Sequence, residues 1–322
     1  MTTVFLDFAT LRPADLDLQA LQRLPDVVLH DASTPAEIAG RVAAARVVVV
    51  NKVDLGAAEL AAAPDLQLIC LAATGSDNID LEACRRRGVA VCNIRNYCTP
   101  AVVQHVFALL LTLNQRLDAY RQQVTAGDWQ RSPRFCLLEP PLRELQGQVL
   151  GIVGFGTLGR AVGAVGAAFG MRIVAAALPG SPSPATPAES GVERVDLDTL
   201  LARADAVSLH CPLTTGTRQL INARTLALMQ PTALLINTAR GGLVDSAALV
   251  AALREGRLGG AGIDVLTVEP PTRDPLLTRD VPNLIVTPHM AWSAREARQR
   301  ALEQIIANIE AFRGGAPQNR IA

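Results

Sequence analysis

Residues 149–159 read V-L-G-I-V-G-F-G-T-L-G, an apolar run that passes directly into three spaced glycines. Val149, Leu150, Ile152 and Val153 make an apolar run of the kind found in strands buried on both faces. Gly154-x-Gly156-x-x-Gly159 follows at once, and an alanine-rich, helix-like run continues to Phe169. Each glycine has a physical reason at this spacing. Gly154 permits a tight turn off the strand, Gly156 removes a side chain that would hold a pyrophosphate away from the backbone, and Gly159 lets the helix lie close on the sheet. The phosphates then meet N–H groups at the positive end of a helix. A glycine-rich turn without a ligand is the plainer reading of the same residues. The strand before it and the helix after it favour a dinucleotide site.

At 322 residues the chain exceeds one ordinary core, so two domains are expected. Its 30 basic side chains balance 30 acidic ones, and this gives no electrostatic footprint for nucleic acid or an anionic membrane. A small-molecule partner is expected instead. The longest apolar stretch, 101–113, is interrupted by Gln104 and His105 and is too short to cross a bilayer. The first apolar run contains Asp7 and has no basic lead, so it reads as a strand and not as a signal peptide, and the protein is expected in the cytoplasm. Six cysteines show no Cys-x-x-Cys and no metal spacing, so no metal is expected and they read as buried small hydrophobes. Lys52 is the only lysine in the chain.

Apolar runs at 4–8, 27–30, 47–50, 66–71 and 89–94 alternate with helix-like segments at 15–24, 35–45, 57–63 and 81–87, which implies a parallel sheet with helices on both faces. Ligands of such sheets sit at the carboxyl ends of strands, where Asn51-Lys52 and the loop 73–78 stand out. Pro100 opens a long helical run towards Tyr120, and 127–147 is an irregular arm with Trp129 and Phe135, a candidate domain bridge or dimer contact. Beyond the glycine turn come strands at 172–177, 206–210, 234–237, 262–265 and 284–286, with a Pro- and Ser-rich loop at 180–191. A last helix is expected over 293–313, with Ser293 as N-cap and Glu296 completing a capping box.

Three polar groups follow apolar strands of the second half: Arg240, Glu269 and His289. Together they can move a hydride to or from a carbonyl carbon. The oxygen of a carbonyl being reduced gains negative charge, and a histidine is a suitable proton donor near neutral pH. A carboxylate beside it favours the imidazolium and orients the ring, and an arginine fork matches a substrate carboxylate. Singly, the same residues read as a strand-end histidine, a helix-start acid and a surface cation. His30, His105 and His210 lack such company, although His210 ends a strand.

The runs N-T-A-R-G-G-L-V-D (237–245), G-I-D-V-L-T-V-E-P-P (262–271) and T-P-H-M-A-W (287–292) resemble the signatures of the D-isomer-specific 2-hydroxyacid dehydrogenases. Tyr97 with V-V-Q-H-V-F-A-L-L-L (102–111), S-P-x-F-C (132–136) and Asn51-Lys52-Val53 are similar to the glycerate dehydrogenase, or hydroxypyruvate reductase, branch. The resemblance implies a Rossmann dinucleotide-binding domain, 99–289, inserted in a flavodoxin-like substrate domain, 1–98 plus 290–322, with the cleft between them and a homodimer joined through the long helix and arm. It implies that Arg240 binds substrate, that Glu269 pairs with His289, and that His289 is the proton donor in reduction. Backbone amides of Ala73, Thr74 and Gly75 would hold the substrate carboxylate, beside Asn51 and Lys52. The cofactor, NAD(H) or NADP(H), would be lined by Thr157, Leu158, Leu178, Cys211, Pro212, Thr217, Thr238, Ala239, Arg240, Asp264 and His289, besides the three glycines. A dinucleotide-sensing corepressor of the same fold is the competing reading.

One departure bears on the cofactor. Where users of NAD carry an acid at the end of the second strand, this chain has Ala177. Residues 178–184 offer no arginine or lysine to hold a 2′-phosphate, only Ser181, Ser183 and backbone N–H groups, so both cofactors are expected to serve, with at most a modest preference for NADP(H).

Overall fold

The computed structural model of the protein describes residues 2–176, 178 and 191–322. It divides into two compact units, Met1–Cys98 with Ser293–Ala322, and Thr99–Trp292. Each is built on an all-parallel sheet, so the fold is α/β with two parallel-sheet domains. Ala177 and residues 179–190, which include most of the expected Pro- and Ser-rich loop, lie outside the described residues.

The first unit runs β1 (Thr3–Phe5), α1 (Gln19–Arg23), β2 (Val27–Leu29), α2 (Pro35–Val42), β3 (Val47–Val50), α3 (Ala57–Ala61), β4 (Leu68–Leu71), α4 (Leu81–Arg87) and β5 (Ala90–Cys92). Its sheet order is β2-β1-β3-β4-β5, the doubly wound order of flavodoxin-like domains. Strands β3 (V-V-V-V) and β4 (L-I-C-L) are buried along their whole length, so their sequences are apolar runs without alternation.

The second unit runs α5 (Thr99–Asn114), α6 (Leu117–Thr125), α7 (Asp128–Arg131), β6 (Val149–Val153), α8 (Thr157–Ala168), β7 (Arg172–Ala176), β8 (Glu193–Val195), α9 (Leu197–Arg203), β9 (Ala206–Leu209), α10 (Ala223–Leu226), β10 (Leu234–Asn237), α11 (Ser246–Arg254), β11 (Gly260–Ile263) and β12 (Leu284–Val286). Its sheet order is β12-β11-β10-β9-β6-β7-β8, so the winding reverses between β6 and β9. Such a reversal opens a crevice at the carboxyl ends of the two strands, where ligands bind. Helix α12 (Arg295–Arg313) returns to the first unit and buries Ala301, Leu302, Ile305 and Ile309. Its buried Asn308 donates to the Asn93 carbonyl at 2.9 Å. After it, the Ile321 N–H donates to the Val91 carbonyl at 2.8 Å.

Several elements differ from the sequence expectation. The long run from Pro100 breaks at Asn114, because its apolar stripe ends at Leu113 and α6 buries nothing among its nine residues. Arg116 turns the chain there in a left-handed conformation. Ser293 does not cap α12: Ala294 holds the cap position without a side-chain bond, and the Ser293 carbonyl accepts from Arg298 Nε at 2.8 Å. The segment expected as one helix over 15–24 forms only α1, after a 3-10 turn at Pro13–Asp15. Strand β8 and the short α7 within the arm were not anticipated at all.

A bidentate ion pair anchors α12 in the first unit. Arg298 Nη1 and Nη2 lie 2.6 and 2.8 Å from the Asp15 carboxylate, and Nη1 also donates to the carbonyls of Leu11 and Arg12 at 3.0 Å. Hydrogen bonding from Arg298, opposed by burial and aided by its charge, holds the Asp15 carboxyl down at about 2, below the ordinary 3.8. A carboxyl lowered on folding stabilises above its unfolded value, and that share is lost as pH falls through the folded one. Asp15→Asn is therefore expected to lower the urea midpoint at pH 7, with the gap to the parent protein closing between about pH 4 and pH 2. A constant gap across that range would assign the loss to packing.

Candidate active site

The glycine turn is built as its spacing requires. Gly154 sits at φ +98° and packs on the chain after β9, where an added Cβ would stand 2.6 Å from the Cys211 nitrogen. A Cβ on Gly159 would overlap the Gly154 carbonyl oxygen, so glycine is what lets α8 start against β6. Gly156 is different: nothing among the described residues lies within 4 Å of its Cβ position. The space over Gly156 is thus open on the side a pyrophosphate would approach, at the start of α8 with its exposed Thr157 and half-buried Leu158.

Opposite, the chain leaving β9 carries His210, Cys211 and Pro212. The His210 N–H donates to the Val153 carbonyl at 2.7 Å, which ties the end of β9 to the end of β6. Burial pushes the His210 imidazole down to about 4, so it is neutral. Its Nε2 lies 2.8 Å from Ser208 Oγ, and its Nδ1 is buried without a partner among the described residues. Burial pushes the Cys211 thiol up to about 11, which leaves it inert. Thr217 Oγ1 donates to the Pro212 carbonyl at 2.7 Å and accepts from the Thr214 N–H at 2.8 Å, so this hydroxyl staples the loop from within. Leu178, half-buried, packs against the apolar core of this unit.

The three residues suited to carbonyl chemistry lie in the segments that follow β10, β11 and β12. Asn237, at the end of β10, accepts from the Ala239 N–H at 3.0 Å and donates to the Arg240 carbonyl at 2.9 Å, folding the N-T-A-R turn around its own amide. Thr238 Oγ1 is buried there and lacks a partner among the described residues. Gly241 packs directly on the Leu266 backbone, and no side chain could fit between them. Past β11, Glu269 accepts the Leu266 N–H at 2.8 Å on Oε1, while its Oε2 lies 2.5 Å from His289 Nδ1. His289 itself is held in a left-handed conformation, φ +51°, by its N–H bond to the Asp264 carbonyl at 2.7 Å.

Asp264 is the hub beneath this pair. Its carboxylate accepts from Thr287 Oγ1 at 2.5 Å and from the Met290 and Ala291 N–H groups at 2.9 Å. Burial resists its ionisation, but these bonds and His105 outweigh it and hold its carboxyl below the usual value. His105, which the sequence left without company, lies on α5 with Nε2 3.0 Å from Thr287 Oγ1 and 3.4 Å from Asp264 Oδ1. It was missed because its partners are over 150 residues away in the chain.

In the first unit the loop after β3 is fixed by a second residue the sequence did not single out. Asp7 accepts from the N–H groups of Asn51, Lys52 and Val53 at 2.9, 2.6 and 3.2 Å. Burial raises its carboxyl above the ordinary value, and those bonds oppose the rise. Asn51 turns inward to Thr10 Oγ1 at 3.0 Å, whereas Lys52 is exposed. After β4, Ala73 and Thr74 use their carbonyls to accept from the Ile94 N–H and from Asn93 Nδ2, so this turn too is pinned from behind. The N–H groups of Thr74 and Gly75 carry no hydrogen bond among the described residues.

The sequence profile of the D-isomer specific 2-hydroxyacid dehydrogenases, NAD binding domain, matches residues 107–291. The chain belongs to the D-isomer specific 2-hydroxyacid dehydrogenase family. It is 43% identical to the glycerate dehydrogenase of Methylorubrum extorquens over 89% of this chain and 88% of that one. It is 34% identical to the hydroxypyruvate reductase of Blautia hydrogenotrophica over 99% of both. Among solved structures it is similar to the NADPH-dependent glyoxylate/hydroxypyruvate reductase of Sinorhizobium meliloti in complex with NADP and malonate, at TM-score 0.82 and 27% identity over 100% of this chain and 97% of that one.

As a member of this dehydrogenase family the protein is an NAD(P)-dependent oxidoreductase of 2-hydroxy acids, and a corepressor role is not favoured. Its own residues fit the dinucleotide. The open approach over Gly156 and the orphaned Thr238 hydroxyl both lie at carboxyl ends of strands in the dinucleotide-binding unit. Among the described residues no helix is long and apolar enough to cross a membrane, and no group of three or more His, Cys, Asp or Glu could hold a metal ion.

Proposed function

We propose that this dehydrogenase interconverts a small D-2-hydroxy acid and its 2-oxo acid, with glycerate/hydroxypyruvate or glyoxylate as its substrates. The 2.5 Å pair of Glu269 and His289, on strand ends of the dinucleotide-binding unit, carries this reading. The nicotinamide, when bound, supplies the hydride to the carbonyl carbon. His289 gives the proton to the carbonyl oxygen from Nε2, because Nδ1 is committed to Glu269. Arg240 supplies a cationic fork for the substrate's carboxylate and reacting oxygen. The Thr74 and Gly75 amides, with Ala73, complete the hold on the carboxylate, beside Asn51 and Lys52. Gly154, Gly156, Thr157, Leu158 and Gly159 receive the pyrophosphate. Leu178, Cys211, Pro212, Thr217, Thr238, Ala239, Arg240, Asp264 and His289 line the rest of the cofactor. The relatives named above support this substrate range. Initial rates for hydroxypyruvate, glyoxylate and pyruvate with NADH and with NADPH test it, and rates for pyruvate that exceed the other two would set it aside.

Lys52 is assigned to the distal hydroxyl or carboxylate of the substrate, since Asp7 holds its backbone at the carboxyl end of β3. Lys52→Ala is expected to raise the Michaelis constant for hydroxypyruvate roughly tenfold, the worth of one charge-assisted bond, and to change that for pyruvate much less. Equal effects on both substrates would sink this assignment. The protein is further proposed to act in the cytoplasm as a homodimer. Helix α6 exposes Leu117 and Val124, and the arm after it exposes Trp129, Phe135, Leu138 and Leu142, an apolar series that a second copy would cover. Sedimentation velocity decides this, and a monomer at micromolar concentration would refute it.

A further inference from the structure

We propose that Arg194, on β8, reads the 2′-position of the cofactor's adenosine ribose and gives this enzyme a preference for NADP(H). The inference rests on the dinucleotide site described above and concerns one end of it. In dinucleotide-binding sheets the ribose 2′-hydroxyl lies between the glycine turn and the end of the second strand, where an acid selects NAD and an arginine admits the 2′-phosphate. Here the second strand is β7, and the position after Ala176 is alanine, so no acid repels a phosphate. Residues 177–190 contain no arginine or lysine, and a cation for that phosphate must come from elsewhere.

Strand β8 brings one back. It pairs in parallel with β7, with Arg194 level with Ala175. Paired residues of a parallel ladder stand on one face, and Ala175 shares its face with Ile173, whose methyl groups meet α8 at Gly163 and Gly166. Arg194 therefore stands on the α8 face of the sheet. From there its guanidinium carbon reaches within 5.4 Å of the centroid of the Phe155 ring. Phe155 is the residue between the first two glycines of the turn, so the stacked ring steadies a cation at the rim between the turn and the end of β7.

The arginine makes no ion pair among the described residues. Its neighbour Glu193 is held by Arg203 in a bidentate bond of 2.6 and 2.9 Å and does not compete for it. A second cation, Arg160, donates to the Phe155 carbonyl at 3.3 Å from the start of α8 and adds positive charge beside the phenylalanine. A doubly charged 2′-phosphate fits this setting, and a bare 2′-hydroxyl gains little from it.

Dissociation constants from protein-fluorescence titration, with no substrate present, test the proposal. The ligands are NADPH, NADH, 2′,5′-ADP and 5′-AMP. Arg194→Met, which keeps an apolar stem over Phe155 and removes the charge, is expected to weaken NADPH and 2′,5′-ADP by about 10- to 100-fold, the worth of a charge-assisted bond. NADH and 5′-AMP should stay within about twofold of the parent. Arg194→Lys keeps a cation and should retain part of the discrimination, which guards against a loss that comes only from misfolding. Equal weakening of all four ligands would show that Arg194 merely shapes the glycine turn and would overturn the proposal. Unchanged NADPH affinity would overturn it as well. In both cases the reading of the turn as a dinucleotide site would stand, since NADH binding by the parent protein reports on that separately.

Discussion

His289→Gln is expected to lower the turnover of hydroxypyruvate by about 10²- to 10⁴-fold while the dissociation constant for the dinucleotide changes by less than a few fold. Glutamine fills much the same space but has no proton to yield at the reacting oxygen. The backbone bond from residue 289 to the Asp264 carbonyl does not depend on the side chain, so the strand end should hold its form. Glu269→Gln should cost less, because the ring remains in place but loses its anionic partner on Nδ1. The two residues act as a unit, so the double variant should lose little more than His289→Gln alone. Steady-state rates for the four proteins measure this cycle. Near-normal turnover in His289→Gln, or losses that multiply in the double variant, would remove the pair from the chemistry.

A single methyl group at position 159 is expected to abolish measurable dinucleotide binding, with affinity falling at least about 100-fold. The added Cβ would overlap the Gly154 carbonyl, which is backbone and cannot swing aside, and would also stand 3.0 Å from Ile152 Cγ2. The start of α8 must then lift from β6, and N–H groups displaced by about 1 Å no longer converge on the phosphates, a misplacement of the size that costs two orders of magnitude in tightly organised sites. Gly163→Ala is the matched control. Its methyl would meet only side-chain atoms, Ile152 Cδ1, Ile173 Cγ2 and Phe155 Cε2 at 3.2, 3.3 and 3.4 Å, and no backbone, so an adjustment of a few tenths of an ångström makes room. Titration with NADH and NADPH should therefore show loss in Gly159→Ala and near-normal binding in Gly163→Ala. Comparable affinities in the two variants would contradict the close-packing account of the third glycine.

The contrast between those glycines also shows what a sequence can reveal. The turn at Gly154, Gly156 and Gly159 is legible because its constraint is local: a strand, a left-handed residue and a helix start follow one another within a few positions. Arg240, Glu269 and His289 are legible because each follows an apolar strand, and strand ends in parallel sheets face the ligand. Asp7 and His105 are not, because their meaning lies in bonds to Asn51, Lys52 and Val53 and to Thr287 and Asp264, partners distant in the chain. Strand β8 escaped for another reason. Glu-Arg-Val is three residues long, polar at two of them, and sits at a sheet edge, so neither hydrophobic alternation nor an apolar run marks it. The same three residues carry Arg194, a cation too far from β7 in the sequence to be placed beside it without the strand. Ser293 shows the opposite error, since the right residue types at capping-box spacing lie one position ahead of where α12 begins.

The return of α12 to the first unit sets an order of events during synthesis. Residues 99–292 hold all seven strands of their sheet in one continuous segment, so that unit can close as soon as it has left the ribosome. The first unit, made earlier, must wait. Until residues 293–322 emerge, Cys70 and the Asn93 carbonyl lack the cover of Ile305 and Asn308, and β5 lacks the partner it finds in the segment around Arg320. The part of this chain translated first is thus the part completed last.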